Sequence, residues 1–174
     1  MADPFSGKPV LEDLLREDLR LVICGSAAGT VSAQRQAYYA GPGNRFWRTL
    51  CEVGLTDRQL RPEEYPKLLS YGIGLTDVVK TAFGADDELP RQSFSPAAVV
   101  EKLQTFRPGL LATNGKRTAQ ELLGRKTAYG LQPERLAGVP VFVLPSTSGR
   151  AGPFFDLTWW KELAARVEGQ RGAW

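Results

Sequence analysis

LRLVIC, residues 19–24, followed at once by Gly25, is the stretch on which the fold turns. It is short and almost wholly apolar, which reads as a strand buried on both faces; strands of that kind belong inside parallel sheets. GLLAT at 109–113 and VPVFVL at 139–144 have the same character, the latter entered through Pro140 and left through Pro145. A shorter strand is expected from Ile73 to Thr76. Helical signals fill the intervals: Val10–Arg16, Asn44–Val53, Pro62–Ser70 and Thr118–Leu123. Ser95-Pro96 predicts a helix start, Ser as N-cap and Pro at the first helical position, with Val99, Val100, Leu103 and Phe106 on the apolar face. Asp156 caps a last helix through Val167, and the tail from Gly169 is expected to fray. Strands alternating with helices in this way predict an α/β fold, a parallel sheet covered on both faces. Neither repeats nor a low-complexity linker divide the chain, so residues 1–174 form one domain with its core over about 19–168.

The whole chain of 174 residues is 43% hydrophobic and 24% charged, the balance of a folded globular domain. No apolar run reaches the ~20 residues of a membrane span. The opening MADPFSGKPVLEDLLRED lacks the apolar stretch of a secretory signal, and a cytoplasmic location is the expectation. Histidine is absent, which excludes Ser-His-Asp and Cys-His nucleophiles, a His general base and every His-containing zinc site. Cys24 and Cys51 are too few for a Cys₄ centre and read as small buried hydrophobes. Chemistry must therefore fall to carboxylates, amides, hydroxyls and backbone dipoles. Net charge is +3, yet between Arg107 and Arg150 seven basic residues face two acids, a footprint suited to a polyanion.

Open α/β sheets bind ligands beyond the carboxyl ends of their strands. Four loops occupy that place. CGSAAGTVSAQRQAYYAGPGNRFW (24–47) combines Gly25, Gly29, Gly41 and Gly43 with the flat faces of Tyr38, Tyr39, Phe46 and Trp47, and contains neither GxGxxG nor a P-loop. GIGLTDVVKTAFG (72–84) sets Asp77 at a strand end, either as a helix N-cap or as a functional carboxylate. In LATNGKRTAQELL (111–123), Asn114 is either a turn residue before Gly115 or a group that donates and accepts at once. VLPSTSGRAGPFF (143–155) offers the hydroxyls of Ser146, Thr147 and Ser148 with Arg150 at its tip, a composition suited to phosphate oxygens or to a plain Ser/Thr turn.

Taken in order, YYAGPGNRFW, GIGLTD and LPSTSG resemble the uracil-DNA glycosylase superfamily, nearest its mismatch-specific branch, with similarity to the hypoxanthine-DNA glycosylases. The resemblance spans about residues 19–160 and implies a short, mostly parallel four-stranded sheet between layers of helices. It implies an enzyme that flips uracil out of DNA and hydrolyses its N-glycosidic bond, leaving an abasic site, without metal or cofactor. On that pattern Phe46 stacks on the extruded base, and Tyr38 or Tyr39 forms the pocket wall. Asn44 is a base contact or the cap of its helix. Ser146, Thr147, Ser148 and Gly149 pinch phosphates, Lys116 adds a DNA contact, and Arg150 stands where relatives carry a Leu wedge. The first motif departs from the pattern. GSAAG (25–29) replaces GINPG, so Ala27 stands where an Asn would position water, and Asp77 is left as the candidate catalytic carboxylate. Asn114 and the backbone N–H groups of Ser26 and Ala27 would stabilise the leaving base. The implied partner is DNA carrying uracil or another deaminated base, met by a monomer. Hypoxanthine as substrate, and binding of damaged DNA without catalysis, are the alternatives.

Overall fold

Along β1 (Leu21–Gly25) every residue is buried, and the side chains sort by parity. Leu21 and Ile23 enter one apolar layer, while Val22 and Cys24 enter the other. β3 (Leu111–Asn114) and β5 (Val139–Leu144) divide in the same way, and Ile73 and Leu75 of β2 (Ile73–Asp77) join the first layer. The structure, a computed structural model, describes residues 7–171 of the domain, so 1–6 and 172–174 lie outside the described residues.

Helices cover both faces, as doubly buried strands require. α2 (Phe46–Glu52) and α5 (Leu157–Arg171) close the first layer with Phe46, Trp47, Leu50, Trp160, Leu163 and Val167. α3 (Pro96–Phe106) and α4 (Lys116–Leu123) close the second with Val99, Leu103 and Leu122. Each such side chain contributes roughly 1.5–3 kcal/mol by leaving water. Asp156 Oδ1 accepts from the Thr158 N–H at 2.9 Å and starts α5 as expected, whereas Ser95 precedes α3 without a side-chain cap bond.

The sheet has five strands rather than four, in the order β2-β1-β3-β5-β4. The first four are parallel; β4 (Gly130–Leu136) runs antiparallel to β5 at the edge. Its sequence, GLQPERL, is polar on one face and carries Pro133, which an edge strand tolerates because one side of it makes no ladder. Ala137 (φ 50°) and Gly138 (φ 79°) turn it into β5 through two consecutive left-handed residues, the geometry of a tight hairpin.

Three further expectations change. Val10–Arg16 is not a helix: Leu14 exchanges two backbone hydrogen bonds of 2.9 Å with Leu75, strapping the segment along the outer edge of β2. That strap buries Val10, Leu11 and Leu14, the residues whose spacing suggested a helix. A short α1 (Thr30–Arg35) interrupts the first loop. The last helix continues past Gly169 to Arg171. Among the described residues no helix is long and apolar enough to cross a membrane.

Candidate active site

The parallel strands deliver Gly25, Asp77, Asn114 and Leu144 to one edge, and a cleft of about 840 Å³ opens above them. Asp77 ends β2 in register with Gly25 of β1 and is only 4% exposed while lining the cleft. Burial pushes its carboxyl up to about 6; the nearby Lys80 works against that rise and Asp13 adds to it. Gly25 is required here by contact. A Cβ on it would lie 2.7 Å from Asp77 Oδ1 and 2.9 Å from Tyr39 Oη, so carboxylate and phenol converge over a bare Cα.

Tyr39 lines the cleft; Phe46 does not. Phe46 is 0% exposed and stacks against the back of Tyr39, with ring centroids 3.9 Å apart and planes at 24°. The flat aromatic face presented to the cleft is therefore Tyr39, and Phe46 is its support, which corrects the expectation for Phe46. Tyr39 holds a left-handed backbone (φ 52°), an uncommon conformation outside glycine that re-aims the ring. Its hydroxyl is buried with no hydrogen bond of ordinary geometry, the Asn114 side chain being its polar neighbour; burial, then Asp77, holds the phenol well above its usual titration range, and Asn114 works against that rise. Tyr38 also lines the cleft, but it is only 2% exposed and its hydroxyl is tied to the strap. Its hydroxyl donates to the Glu12 carbonyl at 2.8 Å and its ring meets Tyr65 edge-on.

Asn114 is committed to the scaffold. Its Oδ1 accepts from the Thr147 N–H and its Nδ2 donates to Thr147 Oγ1, both at 3.0 Å, leaving one amide N–H free of these bonds. Thr147 is thereby fully buried, so its hydroxyl does not face a phosphate as the loop composition suggested. Ser146 Oγ accepts from the Ser148 N–H at 3.2 Å, and Ser148 Oγ accepts from the Arg150 N–H at 3.3 Å, a self-bonded turn that leads into a short 3₁₀ helix, Gly149–Phe154. Gly149 crosses Gly43 so closely that a Cβ on it would lie 3.1 Å from the Gly43 carbonyl. Asn44 Oδ1 accepts from the Phe46 N–H at 2.9 Å, a cap-type bond at the start of α2, while the residue also lines the cleft.

Ser26 Oγ lies 3.0 Å from Thr118 Oγ1, tying the first loop to α4, and Ala27 lines the cleft beside it. Of the seven basic residues between Arg107 and Arg150, Lys116, Arg117 and Arg150 reach the cleft wall. Lys116 Nζ sits over the Tyr129 ring at 4.2 Å. Arg150 is exposed at the rim, 3.4 Å from Asp87 across the mouth. Phe154, 73% exposed on the same rim, was not anticipated from the sequence, although its double aromatic, Phe154-Phe155, is visible there. Asp13, Lys80 and Lys102, grouped behind Asp77, were also missed, because Asp13 is far away in the chain. Among the described residues no group of acids and cysteines is placed to hold a metal ion.

The residues of the cleft thus combine a buried carboxylate, an aromatic plate and a hydroxyl-rich loop with basic groups at its rim. The family model described as the Uracil DNA glycosylase superfamily matches residues 12–164. A solution NMR structure from Methanosarcina acetivorans, described as a candidate uracil DNA glycosylase, superposes with a TM-score of 0.67 at 25% identity, covering 91% of this chain and 96% of that one. The chain belongs to the uracil DNA glycosylase superfamily.

Proposed function

We propose that this chain is a hydrolytic DNA glycosylase that removes uracil from DNA, with Asp77 as its catalytic carboxylate. The observation that carries the reading is the convergence of Asp77 Oδ1 and Tyr39 Oη over Gly25, at the floor of the cleft. A base turned out of the helix lies on the Tyr39 ring, which Phe46 keeps rigid from behind. As the C1′–N bond breaks, its electron pair leaves with the base and positive charge grows on the sugar. A carboxylate anion held below that sugar stabilises the cation, takes a proton from the attacking water and directs its oxygen to C1′. The Asn114 amide N–H not used on Thr147, which also faces the Tyr39 hydroxyl, and the backbone N–H groups of Ser26 and Ala27 are the donors available to the departing base. Ala27 brings no side chain to a water, so this reading puts the whole of that task on Asp77.

Lys116, Arg117 and Arg150 supply the positive rim for the phosphate backbone. Arg150 can wedge into the vacated stack by its planar guanidinium, and the exposed ring of Phe154 stands beside it on the same 3₁₀ helix. The protein acts as a monomer in the cytoplasm, near the mismatch-specific branch of the superfamily. The experiment is a single-turnover assay on DNA carrying one uracil, beside the same DNA carrying hypoxanthine, followed by alkali to reveal abasic sites. Uracil cleavage by wild type and not by Asp77→Asn is the expected result. Cleavage of the hypoxanthine strand alone moves the substrate to that base, and binding of either lesion without cleavage replaces the enzyme by a damage-binding protein.

A further inference from the structure

Lys80 carries an ammonium that the chemistry above does not use, set behind the end of β2. Its Nζ lies 2.9 Å from Asp13 Oδ1 and 3.9 Å from Asp77 Oδ2, and it donates to Tyr38 Oη at 3.2 Å. Asp13 is itself fixed. Lys102 Nζ stands 2.6 Å from its other oxygen, and the Thr76 hydroxyl donates to Oδ1 at 2.7 Å. Lys102 also donates to Thr76 Oγ1 at 3.2 Å. Two lysines and two aspartates thus alternate in a mostly buried chain, and neither Asp13, Lys80 nor Lys102 lines the cleft. Taking such charges out of water is costly, and apolar residues would fill the same space at no such cost. What the arrangement achieves lies at its open end: Asp77 turns Oδ2 toward Lys80 and Oδ1 toward the space over Gly25.

We propose that Lys80, fixed by Asp13, is a positioning residue for glycosidic-bond cleavage, holding Asp77 as an anion with one oxygen turned into the cleft. The inference rests on the reading of Asp77 as the reacting carboxylate. The groups that face Asp77 are Asp13 from the strap, Cys24 from β1, Tyr38 and Tyr39 from the loop before α2, Lys80 from the loop after β2 and Lys102 from α3. Burial keeps Cys24 and both tyrosines neutral, so the charges that act on Asp77 are the two lysines and Asp13. Lys80 favours the anion and Asp13 opposes it, so deleting one charge or the other has opposite consequences.

The test is the pH profile of the single-turnover rate for wild type, Lys80→Met, Lys80→Arg, Asp13→Asn and Asp77→Asn, with the Asp77 carboxyl titration followed by carbon-13 NMR. Lys80→Met is expected to move the acidic limb of the profile and the carboxyl titration upward together, by about one pH unit or more. Its rate at pH 6 then falls about fivefold or more, far more than at pH 9, and DNA affinity holds. Lys80→Arg returns most of the shift, and Asp13→Asn moves the limb downward. A Lys80→Met enzyme slowed equally at every pH, or a limb that stays in place, overturns the proposal. Should Lys80→Met fail to fold, Lys80→Gln is measured in its place, and a limb that stays where wild type has it overturns the proposal equally. An Asp77→Asn enzyme at wild-type speed sinks the reading of Asp77 itself; an inactive one with unshifted limbs in the other variants sinks only the role of Lys80.

Discussion

Asn114 and Thr147 are bonded to each other twice, amide oxygen to backbone N–H and amide nitrogen to hydroxyl, both at 3.0 Å. The pair joins the carboxyl end of β3 to the loop that leaves β5, and both residues are buried. Truncating one partner strands the other without a solvent to replace it. Asn114→Ala is expected to cost about 2–3 kcal/mol and Thr147→Val about 1–2 kcal/mol, with the double variant less than their sum. Urea unfolding of the four proteins measures both the costs and the coupling.

Tyr39 separates platform from hydroxyl. Tyr39→Phe keeps the stack on Phe46 and removes a buried hydroxyl whose polar neighbour is the Asn114 amide, so stability within about 1 kcal/mol of wild type is expected, with turnover within a few-fold of wild type. Tyr39→Ala removes the plate itself, and a loss of at least about 100-fold in single-turnover rate is expected, since stacking alone is worth about 1–3 kcal/mol and the base is no longer held in line. Equal rates for Tyr39→Ala and wild type would remove Tyr39 from the pocket.

Asp77 sets a pH dependence of two kinds. Because its carboxyl is pushed up to about 6 by burial, activity requiring the anion rises as pH passes through 6 and is lost below it. For stability the sign is the reverse. The folded state binds a proton more tightly than the unfolded one, so this group's contribution is fully present below the unfolded value near 3.8 and is lost as pH rises through about 6. Asp77→Asn, which cannot ionise, is therefore expected to be the more stable protein at pH 8, by on the order of 3 kcal/mol, and of equal stability at pH 3.5. Thermal melts at the two pH values check it.

Gly25→Ala places a methyl group where 2.7 Å and 2.9 Å separate it from Asp77 Oδ1 and Tyr39 Oη. Both side chains must move, and they meet at the floor of the cleft. The expected variant folds but cleaves about 100-fold more slowly, in line with the cost of an ångström's misplacement of a reacting group. A circular dichroism spectrum identical to wild type together with the measured rate distinguishes displacement from unfolding.

The strands of the parallel sheet were legible because each is a short apolar run next to a Gly or Pro, and LRLVIC, GLLAT and VPVFVL lie where they were expected. β4 was not, since an edge strand with one wet face carries no continuous apolar signal and Pro133 argues against a ladder. The strap at Val10–Arg16 buries residues at helical spacing in an extended conformation, a choice made by the open edge of β2 rather than by local propensity. Within the cleft, Asp77 and the four loops could be read from strand ends. The exchange of Phe46 for Tyr39 could not, because it depends on a left-handed backbone at Tyr39 that turns one ring over the other. The bond between Asn114 and Thr147 spans 33 residues and the ion pair between Asp13 and Lys80 a still longer stretch, separations at which sequence pattern is silent.

The crossing of Gly43 and Gly149 sets a mechanical condition on the whole cleft. One glycine lies on the segment between Tyr39 and Phe46, and the other opens the 3₁₀ helix that bears Arg150 and Phe154. With no side chain between them the two backbones touch, so neither segment can slide without pushing the other. Displacement of the outer loop is thereby passed to the aromatic plate within, and the rim and the floor of the cleft move as a single lever.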